Sequence, residues 1–340
     1  MPSRKAASEI IARRLRRPYS QYTPCASRID GRCRHSGSCA LAPAQHIGVE
    51  KLKISEPVIA LLHPGEMGSG VGGCLAARGL RVLFASAGRS AESLARAKAA
   101  GLQDGGNVRS IVRESAIVLS ICPPHAAVDV ADEVAKIGFT GVFVDANAIA
   151  PDTTRTIGNV ITAAGGTFVD GGIIGPPPKP GARTRLYLAG REAKRIADLF
   201  TGTNVGTVVL DQPVGAASAV KACYAAWTKG SIALMANIRT LAAHEGVDDV
   251  LIKEWGESQG DLGKRSTAIT AQSRKAWRWI AEMEELAKGF RSAGLPDGFH
   301  LACADLYARL TACKDAKTEP TLDEIRALLL AGSQSTKSRT

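Results

Sequence analysis

The chain has 340 residues, 45% of them apolar, and its 43 Lys and Arg against 32 Asp and Glu give a formal net charge of +11. That length can bury a sizeable core in two domains, and no run of 18 or more apolar residues is present to cross a membrane. The charge does not describe a nucleic-acid-binding face: residues 1–51 carry ten Lys and Arg against Glu9, Asp30 and Glu50, a net +7, leaving +4 for the rest.

Residues 1–52 hold Arg13-Arg14-Leu15-Arg16-Arg17, scattered Ser and Cys, and little periodic apolar pattern, so a disordered basic extension is expected. An Arg-rich, acid-poor leader has the character of an organelle transit peptide and equally of a translated upstream region. Cys25, Cys33, His35 and Cys39 fit no usual zinc spacing, and no metal site is expected. None of the eight cysteines falls in a CxxC pair, which favours reduced thiols in a cytoplasmic or organelle-matrix protein.

From Val58 to Leu62 the chain is an unbroken apolar run, the pattern of a strand buried on both faces of a parallel sheet. His63-Pro64-Gly65-Glu66-Met67-Gly68 follows, then a helical spacing of Val71, Cys74, Leu75 and Leu80, then a second strand over Arg81 to Ser86. Strand, glycine turn, helix and strand within about thirty residues is the unit that rests a pyrophosphate on a helix N-terminus. The match to G-x-G-x-x-G is incomplete, because His63 stands at the first glycine.

The second strand ends Ser86-Ala87-Gly88-Arg89-Ser90 with no acid to accept from a ribose 2′-hydroxyl. Ser86, Arg89 and Ser90 suit the 2′-phosphate of NADP better than NAD, although Ser90 is also placed to cap a helix over Ala91 to Ala100. Ala116 to Cys122 and Gly141 to Asp145 read as further buried strands, stopping at Pro123 and at Asn147. Ligands of open parallel sheets lie beyond the strands' carboxyl ends. Cys122, Pro123, Asn147 and the segment 171–178 are therefore expected to wall a nicotinamide and its substrate. Leu186 to Leu188 and Val208 to Leu210 supply more strands, with a helix over Arg191 to Phe200 between them.

At Val214 the pattern changes. Ala216 to about His244 is Ala-rich and helical, and no proline occurs from there to Pro296, so an all-helical part is expected, closing with a helix over Glu324 to Leu330. The boundaries expected are an extension at 1–52, a Rossmann-type, doubly wound parallel α/β domain at 53–211, a helical substrate and dimerisation domain at 212–332, and a frayed tail at 333–340.

These residues resemble the β-hydroxyacid dehydrogenase family, and within it the 6-phosphogluconate-dehydrogenase-like branch with a short helical C-terminal domain. Gly65-Glu66-Met67-Gly68 is similar to the family's cofactor turn, Ser120-Ile121-Cys122-Pro123 to the end of its fourth strand, and Phe168-Val169-Asp170-Gly171-Gly172 to the start of its substrate loop. Gly215 to Lys221 falls on its interdomain helix, and the resemblance implies that Lys221 is the general acid/base beside a nicotinamide.

The departures concern substrate. The family's carboxylate-gripping Ser is replaced by Ile174, and its Asn four residues after the lysine by Ala225. Gly171, Gly172, Ile173 and Ile174, with Tyr224, Trp227, Trp279 and His300, are the expected lining of a more apolar pocket. The implied activity is NADP-dependent hydride transfer to or from a carbonyl or hydroxyl carbon of a small-molecule substrate, by a homodimer paired through its long helices. Alternatives are reduction of C=N, or a dinucleotide-binding regulator without turnover; neither membrane nor nucleic acid is expected as a partner.

Overall fold

The computed structural model describes residues 56–314 and 316–335, and the basic extension with its Cys25, Cys33, His35 and Cys39 lies outside them. The described residues fall in one compact unit. Their frame is an eight-stranded sheet: β1 (Ile59–Leu62), β2 (Val82–Phe84), β3 (Gln103–Asp104), β4 (Ile117–Ser120), β5 (Val142–Asp145), β6 (Thr167–Ile174), β7 (Thr184–Ala189) and β8 (Val205–Leu210). Its order is β3-β2-β1-β4-β5-β6-β7-β8, with the crossover expected of a doubly wound fold.

Successive strand residues point to opposite faces, so β1 feeds two cores. Ile59 and Leu61 join Val71, Leu75 and Ile117 under the first glycine helix, α1 (Glu66–Ala76). Ala60 and Leu62 join Val118, Val134, Phe143 and Ile157 on the other face. That face is covered by α4 (Ala127–Ile137) and α5 (Pro151–Ala163), while α2 (Ala91–Ala99) flanks α1 and the short α3 (Val108–Glu114) follows β3. Each such Leu, Ile or Phe contributes about 1.5–3 kcal/mol by leaving water.

Six strands are parallel as expected, but β7 runs antiparallel to β6 and β8 parallel to β7. The link from β6 to β7 carries no helix, and a parallel return needs a crossover of a dozen residues or more. The same pairing corrects the reading of Gly171 to Ile174 as a loop. They are buried strand residues, laddered against Arg185 to Leu188 of β7. The chain then passes through α6 (Ala193–Asp198).

Helix α7 (Ala216–His244) has 29 residues, about 43 Å at 1.5 Å per residue. Its start is buried against β6, and Gly172 permits this approach: a Cβ there would stand 2.5 Å from the Ala217 carbonyl oxygen. Helices α8 (Asp248–Ser258), α9 (Leu262–Arg265), α10 (Ala268–Ala276), α11 (Trp279–Ser292), α12 (Gly298–Arg309) and α13 (Leu322–Ser335) complete the helical part. The last helix therefore reaches into the segment expected to fray. A third core of Ala225, Ala233, Ile269, Met283, Leu286, Leu306, Tyr307 and Ile325 holds these helices together. Buried Arg239 of α7 fixes α8 through a two-pronged pair with Asp248, which also receives Arg326 of α13.

Two carboxylates join the helical part to the sheet. Asp170 of β6 accepts from the backbone N–H groups of Gly215 (2.8 Å), Ala217 (2.9 Å) and Ser218, and from the Ser218 hydroxyl, which closes the N-terminus of α7. Glu285 of α11 accepts from the Ala150 N–H and the Thr153 hydroxyl, both at 2.7 Å, at the N-terminus of α5. Helix N-termini leave N–H groups without intrahelical partners, and an anion there satisfies both hydrogen bond and dipole. Among the described residues no helix is long and apolar enough to cross a membrane.

Candidate functional site

A cavity of about 730 Å³ lies over the carboxyl ends of β1 and β4. Its floor is His63, Gly65, Glu66, Met67 and Gly68 with Ile121, Cys122, Pro123, Pro124 and His125. Pro177 and Arg96 form one side, and the roof is Lys275, Trp277, Arg278, Ile280, Ala281 and Glu284 from α10, α11 and the turn between them. Seven of the twelve residues expected to hold a cofactor are thus in its wall.

The turn shows how a chain without the first glycine keeps this geometry. His63 has φ 69°, the single positive value at a non-glycine among the described residues, in the left-handed region that glycine usually fills. Its carbonyl oxygen accepts from the Gly65 N–H at 2.8 Å. A Cβ at Gly68 would stand 2.4 Å from that oxygen, so helix and strand can pack only around a glycine. Gly65 is different: a Cβ there meets nothing within 4 Å. No internal contact demands its bareness, and it sits at the N-cap of α1, where no side chain caps the helix. Pro64 is buried, its carbonyl oxygen accepting from Ser69 and Arg96.

Two nitrogens beside this turn are buried without hydrogen-bond partners, His63 Nδ1 and Arg89 Nε. Burial pushes the His63 imidazole down to about 4, and the nearby Arg89 charge acts in the same direction, so the ring is neutral at pH 7. Burial also disfavours the Arg89 charge, while Glu133 opposes that effect. Arg89 is accordingly half-buried beside His63 and Cys122 and is not a solvated tip. Ser90 caps α2 by accepting from the Ser93 N–H. Ser86 lies at the surface beside Asp104 of β3, a carboxylate that the sequence did not place there.

Behind the floor, Asn147 is a structural clamp. Its side-chain oxygen accepts from the Cys122 N–H (2.6 Å), and its amide donates to Ser120 Oγ (3.2 Å) and Asp145 Oδ2 (2.8 Å). Asp145 is wholly buried, which pushes its carboxyl up to about 7, with the charge of Asp170 adding to the shift. Cys122 is pushed up to about 12 by burial and by Asp145, so it is an inert thiol.

Lys221 lies to one side. Its side chain is 19% exposed, its Nζ is 3.9 Å from Glu282 Oε1, and its Cβ lies over Gly172; it does not line the cavity. Glu282 is paired on its other oxygen with Lys229, whose charge is disfavoured by burial and by Lys221. Sequence reading missed Glu282, because it meets Lys221 and Lys229 only when α11 packs on α7.

The expected apolar lining lies elsewhere. Tyr224 (46% exposed) and Trp227 (66%) face outward, because the Asp170 cap and the third core fix which side of α7 turns inward. Trp279 stands edge-on to Tyr307 beneath Lys229, and His300 is buried between Phe290 and Phe299. Ile173, Ile174 and Ala225 are core residues. The aromatic residue in the wall is Trp277, from an Arg274-Lys275-Ala276-Trp277-Arg278 cluster whose basic-aromatic composition was visible but whose target was not.

Comparison with known proteins agrees with this architecture. Residues 242–310 match a family described as a domain of unknown function, DUF1932. An uncharacterised 28.5 kDa protein from the 7S RNA 5′ region of Methanothermus fervidus is 29% identical over 203 residues, 58% of this chain and 78% of that protein. Conserved protein MTH1747, of unknown function and described as structurally similar to 3-hydroxyacid dehydrogenases, matches with 26% identity and a TM-score of 0.56, over 75% of this chain and 97% of its own. The 3-hydroxyisobutyrate dehydrogenase of Mycobacterium tuberculosis has 16% identity and a TM-score of 0.58, over 82% and 99%. The fold is 3-hydroxyacid-dehydrogenase-like, with the DUF1932 match in its helical part.

Proposed function

We propose that this protein is an NADP-dependent oxidoreductase that moves a hydride between the nicotinamide and a carbonyl or hydroxyl carbon of a small molecule. The observation that carries the reading is the open N-terminus of α1, with a bare Gly65 that nothing in the fold requires, under a 730 Å³ cavity at the sheet's carboxyl edge. The coenzyme supplies hydride acceptor and donor chemistry when bound. Gly65 and the first N–H groups of α1 would hold its pyrophosphate, and Arg89, still lacking a partner at Nε, would reach its 2′-phosphate.

Lys221 is proposed to carry the proton. The Glu282 carboxylate, 3.9 Å from its Nζ, restrains that amine beside the cavity, which is the constraint a positioned acid/base needs. Trp227, Leu234 and Leu241, exposed at seven-residue intervals on α7, support pairing of two chains along this helix. A single-chain mass by light scattering would remove that part.

Calorimetry with NADP and NAD, followed by NADPH oxidation over a panel of aldehydes, β-keto acids and cyclic imines, tests the whole. Lys221→Ala should lower kcat by about two to four orders of magnitude and leave coenzyme affinity within about twofold, as loss of a general acid does. Absence of heat with either coenzyme would refute the proposal, and a response confined to imines would move the chemistry to C=N.

A further inference from the structure

The roof of the cavity carries two cations, Lys275 and Arg278, beside the Glu284 carboxylate, and these cations are already holding an anion. Arg278 Nη1 donates to Glu66 Oε2 at 2.9 Å, and Lys275 Nζ stands 3.7 Å from the same oxygen. Glu66 is the first residue of α1, directly after Gly65, in the turn whose N–H groups lack intrahelical partners. The Arg278 hydrogen bond holds the Glu66 carboxyl below its ordinary range, with the Arg278, Lys275 and Arg96 charges acting the same way. The Arg278 guanidinium lies 5.4 Å from the Trp277 ring, which limits its wandering.

All three ion-pair side chains are about half exposed, at 41% for Glu66, 46% for Arg278 and 58% for Lys275. Pairs this wet hold weakly and exchange readily. A diphosphate brings more charge than one carboxylate and would meet the same two cations together with the free N–H groups of α1.

We propose that Lys275 and Arg278 are the second half of the coenzyme's phosphate site, and that Glu66 is an internal anion occupying them until the diphosphate displaces it. The inference rests on the coenzyme reading of the cavity. It makes the site bipartite, with N–H donors from α1 and side-chain cations from α10 and the turn that follows it. It also makes Glu66 a competitor of the ligand, so that its charge weakens binding through these cations.

Calorimetric titration of the full chain with NADPH decides it, with thermal unfolding confirming that each variant is folded. Lys275→Gln/Arg278→Gln should raise the NADPH Kd by about tenfold or more and flatten its salt dependence, as expected for lost charge-assisted contacts. Glu66→Gln should lower the Kd by about threefold. In the Lys275→Gln/Arg278→Gln background, Glu66→Gln should change it by less than about 1.5-fold, because the cations it blocked are gone. Wild-type affinity in the double variant overturns the proposal. So does a Glu66→Gln gain of equal size in both backgrounds, which would mean simple repulsion. Wild-type protein that takes up no NADPH overturns the coenzyme reading and this inference together.

Discussion

Two helix N-termini of this fold are treated in opposite ways. That of α7 is filled from within: the Asp170 carboxylate accepts three backbone N–H groups and a hydroxyl, all buried. That of α1 has a bare glycine at its cap and the one loosely held carboxylate of Glu66 at its rim. The same physics operates at both, since uncompensated N–H groups and a dipole attract an anion. Where the anion is part of the chain and buried, the helix is an anchor; where it is weakly held, the helix end is the receptor of the proposed coenzyme site.

Removing the anchor should have the largest effect. Asp170→Ala leaves several buried donors without a partner, each costing about 1–3 kcal/mol, so urea unfolding should show a loss of about 3 kcal/mol or more. A loss below about 1 kcal/mol would mean that α7 does not depend on this cap. The matching change at the receptor should reverse the pattern. Gly65→Ala meets no neighbour, so stability should stay within about 0.5 kcal/mol, while NADPH affinity in calorimetry drops by about tenfold or more because the backbone no longer meets the phosphate closely. A destabilised Gly65→Ala with intact affinity would erase the distinction.

The buried groups behind each site should also separate by pH. Asp145 has its folded value raised to about 7, so the folded state binds the proton more readily than the unfolded chain. Its contribution is favourable at low pH and is lost as pH rises from about 4 to about 7. His63 is lowered to about 4, and its contribution runs oppositely, lost as pH falls from about 6.5 to about 4. The stability difference between wild type and Asp145→Asn should therefore fall with pH across 4–7, and that between wild type and His63→Gln should rise across 4–6.5. Denaturant midpoints at four pH values measure both, and parallel curves would remove these assignments. The smallest effect expected is a gain: His63→Gly relieves a left-handed backbone costing about 1–2 kcal/mol against the about 0.5–1 kcal/mol entropy of glycine. A rise in Tm of a few degrees or less should result, and a fall would show that the imidazole contributes more than its strain.

The sequence made the receptor legible and the anchor not. Val58 to Leu62, the glycines at 65 and 68 and the long proline-free helix are local patterns, and each led to the right element. Asp170 reads as part of a loop start, and its role depends on α7 returning 45 residues later to β6. The reversal of β7 was hidden because buried apolar runs carry no direction; only the absence of a crossover helix shows it. Tyr224 and Trp227 read as pocket residues in the sequence because aromatics on a helix do not announce which face is inward. Lys275 and Arg278 reach Glu66 across more than 200 residues, a distance over which no periodicity speaks.

The Glu285 contacts have a consequence for how the cavity is reached. Helix α11, which forms much of the roof, is tied at Ala150 and Thr153 to the sheet half below it. With the roof tied at this point, admission of the proposed coenzyme is expected to depend on side chains swinging at the rim. Uptake should then proceed in one kinetic phase whose rate scales linearly with guest concentration, near the 10⁵–10⁷ M⁻¹s⁻¹ typical of oriented encounters, without a slow opening step to cap it.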